Sequence, residues 1–167
     1  MLHTGTFSVP RTADEVFDLL AQPERFAPLM PDFESVTIQD ASHFTLRVAI
    51  QLGPIRGHAN LAMELAYAQR ASSVGYRGSA MVAGSRLQLN LEFRLTPAGD
   101  VTDVGWRGEL ALSGGLAFLG GDLLQARASQ NFGRMAQSLQ ASLRQAPSTA
   151  GETDGPQSPA GSSDYEI

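Results

Sequence analysis

Between Phe44 and Leu112 the chain alternates apolar and polar residues repeatedly, with breaks only at short turn-forming stretches. Phe44, Leu46, Val48, Ile50 and Leu52 alternate with Thr45, Arg47, Ala49 and Gln51. After Gly53-Pro54, Ala59, Leu61, Met63 and Leu65 alternate with Asn60, Ala62 and Glu64. Leu87, Leu89, Leu91, Phe93 and Leu95 do so with Gln88, Asn90, Glu92 and Arg94, and Val104, Trp106, Leu110 and Leu112 share one parity of the next run. A weaker run spans Val74 to Val82. A period of two places every second side chain on one face of a strand, so each run has one oily and one wet face. Links as short as Ala83-Gly84-Ser85 and Pro97-Ala98-Gly99-Asp100 suit antiparallel neighbours, because parallel ones need crossovers of about a dozen residues. An antiparallel sheet with one apolar face must then find something to cover that face.

The ends of the chain supply the cover. Leu2–Val9 reads as a first strand. Thr12-Ala13-Asp14-Glu15 has the spacing of a capping box, and Val16, Leu19 and Leu20 form the buried stripe of the helix it opens. Pro23, Pro28 and Pro31 confine the next segment to short helical turns near Glu24–Leu29. At the other end Leu124, Ala128, Phe132, Met135, Leu139 and Leu143 recur at helical spacing, with Gln125, Arg127, Gln130, Arg134 and Gln137 pointing elsewhere. This helix starts either at a cap near Ser113-Gly114-Gly115 or at Asp122, and runs to Arg144, about 35 Å at 1.5 Å per residue from the later start. The expected fold class is α+β: a curved antiparallel sheet of about seven strands around one long C-terminal helix, with two short helices after the first strand.

The folded domain is expected over residues 1–146. From Pro147 to Ile167 the chain turns to Pro, Ser, Thr, Gly and acid, a composition that cannot bury enough apolar surface to order itself. That tail holds four of the 17 acidic residues, so the net charge of −5 belongs mostly to it and the domain is near neutral. With no basic excess, nucleic acid is not an expected partner. The absence of cysteine excludes disulfides, thiolate metal sites and a cysteine nucleophile. All 12 basic residues are arginine, which excludes Schiff-base chemistry and a phosphate-loop lysine. Met1–Gly5 has neither a basic start nor an apolar run, so a cytoplasmic location is expected.

Catalytic constellations are scarce. His3, His43 and His58 lie on separate segments without ligand spacing, and the parity of His58 points it to solvent. Asp14, Glu15 and Asp18 sit where they favour a helix N-terminus. Ser113 and Ser129 have no histidine or acid at triad spacing, and no dinucleotide fingerprint follows a strand. No metal and no cofactor is expected.

The order of elements resembles the helix-grip fold of the START-like (SRPBCC) superfamily and, more narrowly, the carbon monoxide dehydrogenase G-subunit family. The resemblance rests on Gly5-Thr6-Phe7-Ser8-Val9-Pro10 before Glu15–Leu20, on Leu52-Gly53-Pro54-Ile55-Arg56-Gly57, on Gly78-Ser79-Ala80 before an alternating strand, and on Gly114–Gly120. Two departures stand out. Family members usually have a Cys-Leu/Ile-Pro-Gly turn where this chain reads Leu29-Met30-Pro31-Asp32. Longer relatives also continue past the last helix into a membrane-contacting segment, where this chain has its acidic tail. The resemblance implies an accessory protein of molybdenum hydroxylases that serves maturation, membrane recruitment or quinone handling rather than catalysis. Joined to the apolar sheet face and the scarcity of catalytic groups, it makes a non-catalytic protein that binds a quinone or lipid, with transient contact at the inner face of the membrane, the expected function. A cyclase- or hydratase-type enzyme of the same superfamily and a pure protein-interaction module are the alternatives.

One helix cannot fill the concavity of seven strands, so an apolar cavity of roughly 300–1,000 Å³ is expected between them. Its wall is expected to carry Phe44, Leu46, Val48, Ile50, Leu61, Met63, Leu89, Leu91, Phe93, Trp106 and Leu110, with Tyr76 and Trp106 offering polar tips to a ligand. Leu116, Phe118 and Leu119, between two glycine pairs, are the expected gate.

Overall fold

The computed structural model describes residues 1–118 and 121–145, the side chain of Phe118 excepted. The expected polar tail and Leu119 lie outside these residues. Strand β1 (Leu2–Val9) is followed by α1 (Ala13–Leu20), α2 (Pro23–Phe26) and a 3₁₀ turn at Ala27–Leu29. Six strands succeed one another: β2 (Phe33–Ile38), β3 (His43–Leu52), β4 (Ile55–Gln69), β5 (Ser73–Val82), β6 (Ser85–Ala98) and β7 (Val101–Ser113). A second 3₁₀ turn (Gly115–Phe118) leads to α3 (Gly121–Gln145). The later of the two expected helix starts is thus the better one, and the Ser113-Gly114-Gly115 stretch opens the short turn instead.

The sheet runs β1-β7-β6-β5-β4-β3-β2, with every neighbouring pair antiparallel. It is the helix-grip fold. Alternation fixes its register: Leu46 pairs with Leu61, Leu89 with Leu110 and Phe93 with Trp106, so apolar residues face apolar residues across each ladder. A slip of one residue would turn those rows to water.

The capping box forms as its spacing requires. The Glu15 N–H donates to Thr12 Oγ1 at 3.2 Å and the Thr12 N–H donates to Glu15 Oε1 at 3.0 Å. That second bond holds the Glu15 carboxyl below the usual carboxylate range, outweighing its slight burial. Asp14 and Asp18 meet Arg70 at 3.2 and 3.1 Å, and the Arg70 guanidinium lies 5.2 Å from the Phe17 ring centroid. The acidic turn therefore fastens α1 to the β4–β5 link, as befits surface ion pairs that position more than they stabilise.

Helix α3 crosses the inner face from the β3–β4 hairpin to α1. At its far end the Arg11 side chain donates to the Leu143 carbonyl at 2.8 Å and Gln140 donates to the Ser8 carbonyl at 3.3 Å. Where it passes β7 it comes close enough that a Cβ on Gly108 would lie 2.3 Å from the Phe132 ring, so only glycine fits beneath that ring. Nε2 of the adjacent His3, whose ring centroid is 5.4 Å from that of Phe132, is the buried side-chain polar atom left without a partner among the described residues.

Candidate functional site

Under the first half of α3 the inner face is hollow. Strand β3 contributes Leu46, Val48 and Ile50 to the wall, β4 Leu61, β6 Leu87, Leu89 and Leu91, and β7 Leu110 and Leu112. The helix closes the space with Leu124, Ala128, Phe132 and Met135, and Met30 and Leu116 complete it. The cavity measures about 180 Å³, smaller than the range expected. Its cause is local. The helix presents the short Ala128 to the space, and the nearby inward positions on β4 and β5 are the short Ala59 and Ala80, so long side chains that would fill the gap are missing.

Seven of the twelve residues expected on the wall stand there: Leu46, Val48, Ile50, Leu61, Leu89, Leu91 and Leu110. The other five pack elsewhere. Phe26 from α2, which stacks on Tyr76 with centroids 4.4 Å apart, draws Phe93 and Phe44 into edge contacts at 5.8 and 5.9 Å around the pair. These rings form a solid plug at the α1 end of the sheet. The Tyr76 hydroxyl is not offered to a ligand, because it donates to the Leu20 carbonyl at 2.5 Å. Burial, aided by Glu24, pushes its phenol well above the usual range, as expected of a donor that must stay protonated. Met63 folds its sulfur over Gly78, where a Cβ would lie 2.4 Å away. Trp106 lies over Gly5, its partner on β1, with its ring centroid 6.0 Å from that of Phe132, and does not reach the hollow. Parity places all five on the inner face and says nothing of which end is already filled.

Of the expected gate, Leu116 is buried on the cavity wall, and its N–H donates to the fully buried Ser85 hydroxyl at 2.8 Å. Gly114 adopts φ +100° so that the chain can pass Ser85, whose Cα would be 3.1 Å from a Cβ there. In the sequence Ser85 reads as one more turn residue, with no signal of this role. Phe118 falls in the same 3₁₀ turn, its side chain outside the described residues along with Leu119.

Polar groups reach the wall only where it meets solvent. Asp32, Gln51, Arg127 and Asn131 are all exposed or half-exposed. Helical spacing points Arg127 away from the sheet, but it stands one residue before Ala128 and four before Asn131, both of which line the space, and so reaches the rim beside them. On the opposite, wet face Glu34 gathers Arg47, whose Nε donates at 3.1 Å, and His58, whose Nδ1 lies 2.7 Å away. Both basic residues are exposed, as parity requires, and the described residues hold no cluster of three His, Cys, Asp or Glu suited to a metal.

Residues 5–144 match the family described as the G-subunit of carbon monoxide dehydrogenase (CoxG). The chain belongs to that family. No curated protein matches it in sequence. Among solved structures, a conserved protein from Geobacillus kaustophilus superposes with a TM-score of 0.74 at 14% identity, covering 86% of this chain and 95% of its own. The Zhui aromatase/cyclase from Streptomyces sp. R1128 gives 0.64 at 17% identity, covering 91% and 99%. A START superfamily protein from Mycobacterium smegmatis gives 0.63 at 12% identity, covering 85% and 96%. These likenesses place the CoxG chain in the START-like fold. Its departure from the usual family turn has a local account. Asp32 stands where the family usually has glycine and adopts φ +60°, a conformation that Asp tolerates better than most residues. Its carboxylate receives Arg134 through two bonds, at 3.2 and 3.3 Å, which ties the turn to α3 beside the cavity.

Proposed function

We propose that this CoxG-family chain is a non-catalytic accessory protein that takes an apolar ligand, a quinone or a lipid, into the cavity between sheet and helix. The observation that carries this reading is the wall itself: five strands and one helix place leucine, valine, isoleucine, methionine and phenylalanine around one space, with polar groups confined to the rim. Burial of a ligand there would be driven by removal of apolar surface from water, about 25 cal/mol per Å². Leu116 would lie beside the entrance, so that the 3₁₀ turn at Gly115–Phe118 acts as its gate. Family membership supports action beside a molybdenum hydroxylase, in the cytoplasm, with transient contact at the inner face of the membrane. No helix among the described residues is long and apolar enough to cross a membrane.

A cyclase-type enzyme is the alternative suggested by the Streptomyces neighbour. Such chemistry needs acids or bases directed at a bound substrate inside the pocket. The polar wall residues Asp32, Gln51, Arg127 and Asn131 stand at the rim instead, and Asp32 is engaged by Arg134, which favours binding over turnover. Native mass spectrometry and organic extraction of the purified protein test the reading. A co-purified quinone or lipid at near-equimolar ratio is expected. An empty protein that also fails to bind chain-bearing quinones or fatty acids overturns it.

A further inference from the structure

The rim of the cavity has a polarity of its own, set by which acceptors are already taken. On α3, Arg127 and Asn131 are four residues apart and so lie one above the other on the same face. Arg127 lies near Gln130, its Nη1 donating to the Gln130 side-chain oxygen at 3.3 Å, and among the described residues it makes no ion pair. The oxygen of Asn131 accepts from Arg134 at 3.3 Å, while its two amide N–H groups make no bond among the described residues and are free to donate. The carboxylate of Asp32 across the rim is likewise neutralised by Arg134. The acceptors at Asn131 and Asp32 thus each receive Arg134, the Arg127 guanidinium and the Asn131 amide remain as donors, and the neutral amide of Gln51 on β3 completes the polar rim.

We infer that Arg127 and Asn131 form a head-group clamp for an amphiphile whose polar end carries only acceptor oxygens, its tail passing inward to Leu89 and Leu110. A carboxylate, a phosphate or a quinone carbonyl has that chemistry, whereas an ammonium head does not. The inference rests on the ligand-binding reading above and adds to it the polarity and the orientation of the ligand. Charge-assisted donors at a partly desolvated rim hold an acceptor head more tightly than neutral ones. An ammonium placed there would meet the like charge of Arg127 and no carboxylate that is not already paired with Arg134.

Three probes of equal chain length separate the possibilities: decanoate, a decyl-substituted benzoquinone and decylamine, each titrated calorimetrically into the full chain at pH 7. Decanoate, the quinone or both bind at least about tenfold tighter than decylamine, and which of the two leads names the source of the acceptor head. R127Q closes most of that gap, R127K restores part of it, and N131L narrows it further, all with melting temperatures close to that of the parent chain. Decylamine binding as tightly as the other two, or a gap that R127Q leaves intact, overturns the clamp while the apolar cavity stands. Failure of all three probes to bind overturns clamp and cavity reading together.

Discussion

The two ends of the sheet lie under the same helix and are filled in opposite ways. At the α1 end the rings of Phe26, Tyr76, Phe93 and Phe44 interlock, and each of them is almost wholly removed from water. At the hairpin end the wall is mostly aliphatic and about 180 Å³ stays open. The difference does not lie in the pattern of the strands, which is equally apolar at both ends. It lies in what covers them. Near α1, two short helices and a 3₁₀ turn descend onto the sheet and bring Phe26 with them; at the hairpin end α3 covers the sheet with Ala128 facing in, and Ala59 and Ala80 face up. One half secures the fold, and the other is left free to bind.

Truncation in each half measures this difference most directly. Phe93→Ala should cost about 3–5 kcal/mol in denaturant unfolding, since its edge contact with Phe26 is lost and the plug cannot collapse around the gap. Leu110→Ala should cost about 2 kcal/mol or less, because that half-buried side chain already faces open space and has fewer contacts to lose. Equal costs would mean that the hollow half is as tightly packed in solution as the plug.

A smaller but pH-dependent effect belongs to Tyr76. Tyr76→Phe leaves the Leu20 carbonyl without its donor and should cost about 1–3 kcal/mol near neutrality. The same phenol makes the plug sensitive to alkali. Its folded-state pKa is raised by burial, so the stability it lends is complete below about pH 10, where the unfolded chain begins to ionise, and is lost as pH rises above that value. Equilibrium unfolding followed from pH 8 to 11.5 should show stability falling by about 1.4 kcal/mol per pH unit once past pH 10. Most of that slope should vanish in Tyr76→Phe. The exposed Tyr67, raised by partial burial and by Glu92, adds little because solvent screens it. An unchanged slope in the variant would remove Tyr76 from the plug's polar anchor.

Much of the architecture is legible in the order of periods. Two-residue alternation in β3, β4, β6 and β7, turn chemistry at Gly53-Pro54 and Gly84, and a 3.6-residue stripe from Leu124 to Leu143 together require a sheet gripping a helix. The candidate site is legible only by face. Leu89 and Phe93 share a strand and a parity, yet one lines the hollow and the other the plug, because α2 delivers Phe26 to the latter. Nothing in the strand says where a four-residue helix from elsewhere in the chain will land. Trp106 and Met63 depart from the expected wall for a related reason: each bends over a glycine on the neighbouring strand, Gly5 and Gly78, and register rather than parity decides that. The rim residues Asp32, Arg127 and Asn131 carry no sequence signal, since their roles depend on Asp32 and Arg134, 102 residues apart, coming together.

The turn at Asp32 offers an effect of about 1 kcal/mol on the hollow side. Asp32→Ala keeps the left-handed backbone while losing both bonds to Arg134, and should destabilise by about 1–2 kcal/mol. Asp32→Gly loses the same bonds but relieves the backbone, so it should cost less than the alanine variant by about 1 kcal/mol. Thermal unfolding of the pair separates strain from pairing. If alanine and glycine cost the same, the left-handed conformation at this turn is not what the chain holds against its preference.

The mildest substitution should be the one that fills the hollow. Adding bulk to a close-packed interior costs about 1–3 kcal/mol, and Val74→Phe, at a fully buried position beside Phe93, should do so. Leu89→Phe adds less bulk and adds it opposite Leu110, where open volume already waits, so it should change stability by less than about 0.5 kcal/mol. Its effect should appear in binding instead: decanoate or decyl-benzoquinone should lose about tenfold or more in affinity, because the ring occupies the space for the tail. A Leu89→Phe protein that is as damaged as Val74→Phe would show that the cavity closes in solution. One that is undamaged and still binds at full strength would move the ligand out of the space beneath α3, even though the fold around that space remained as described.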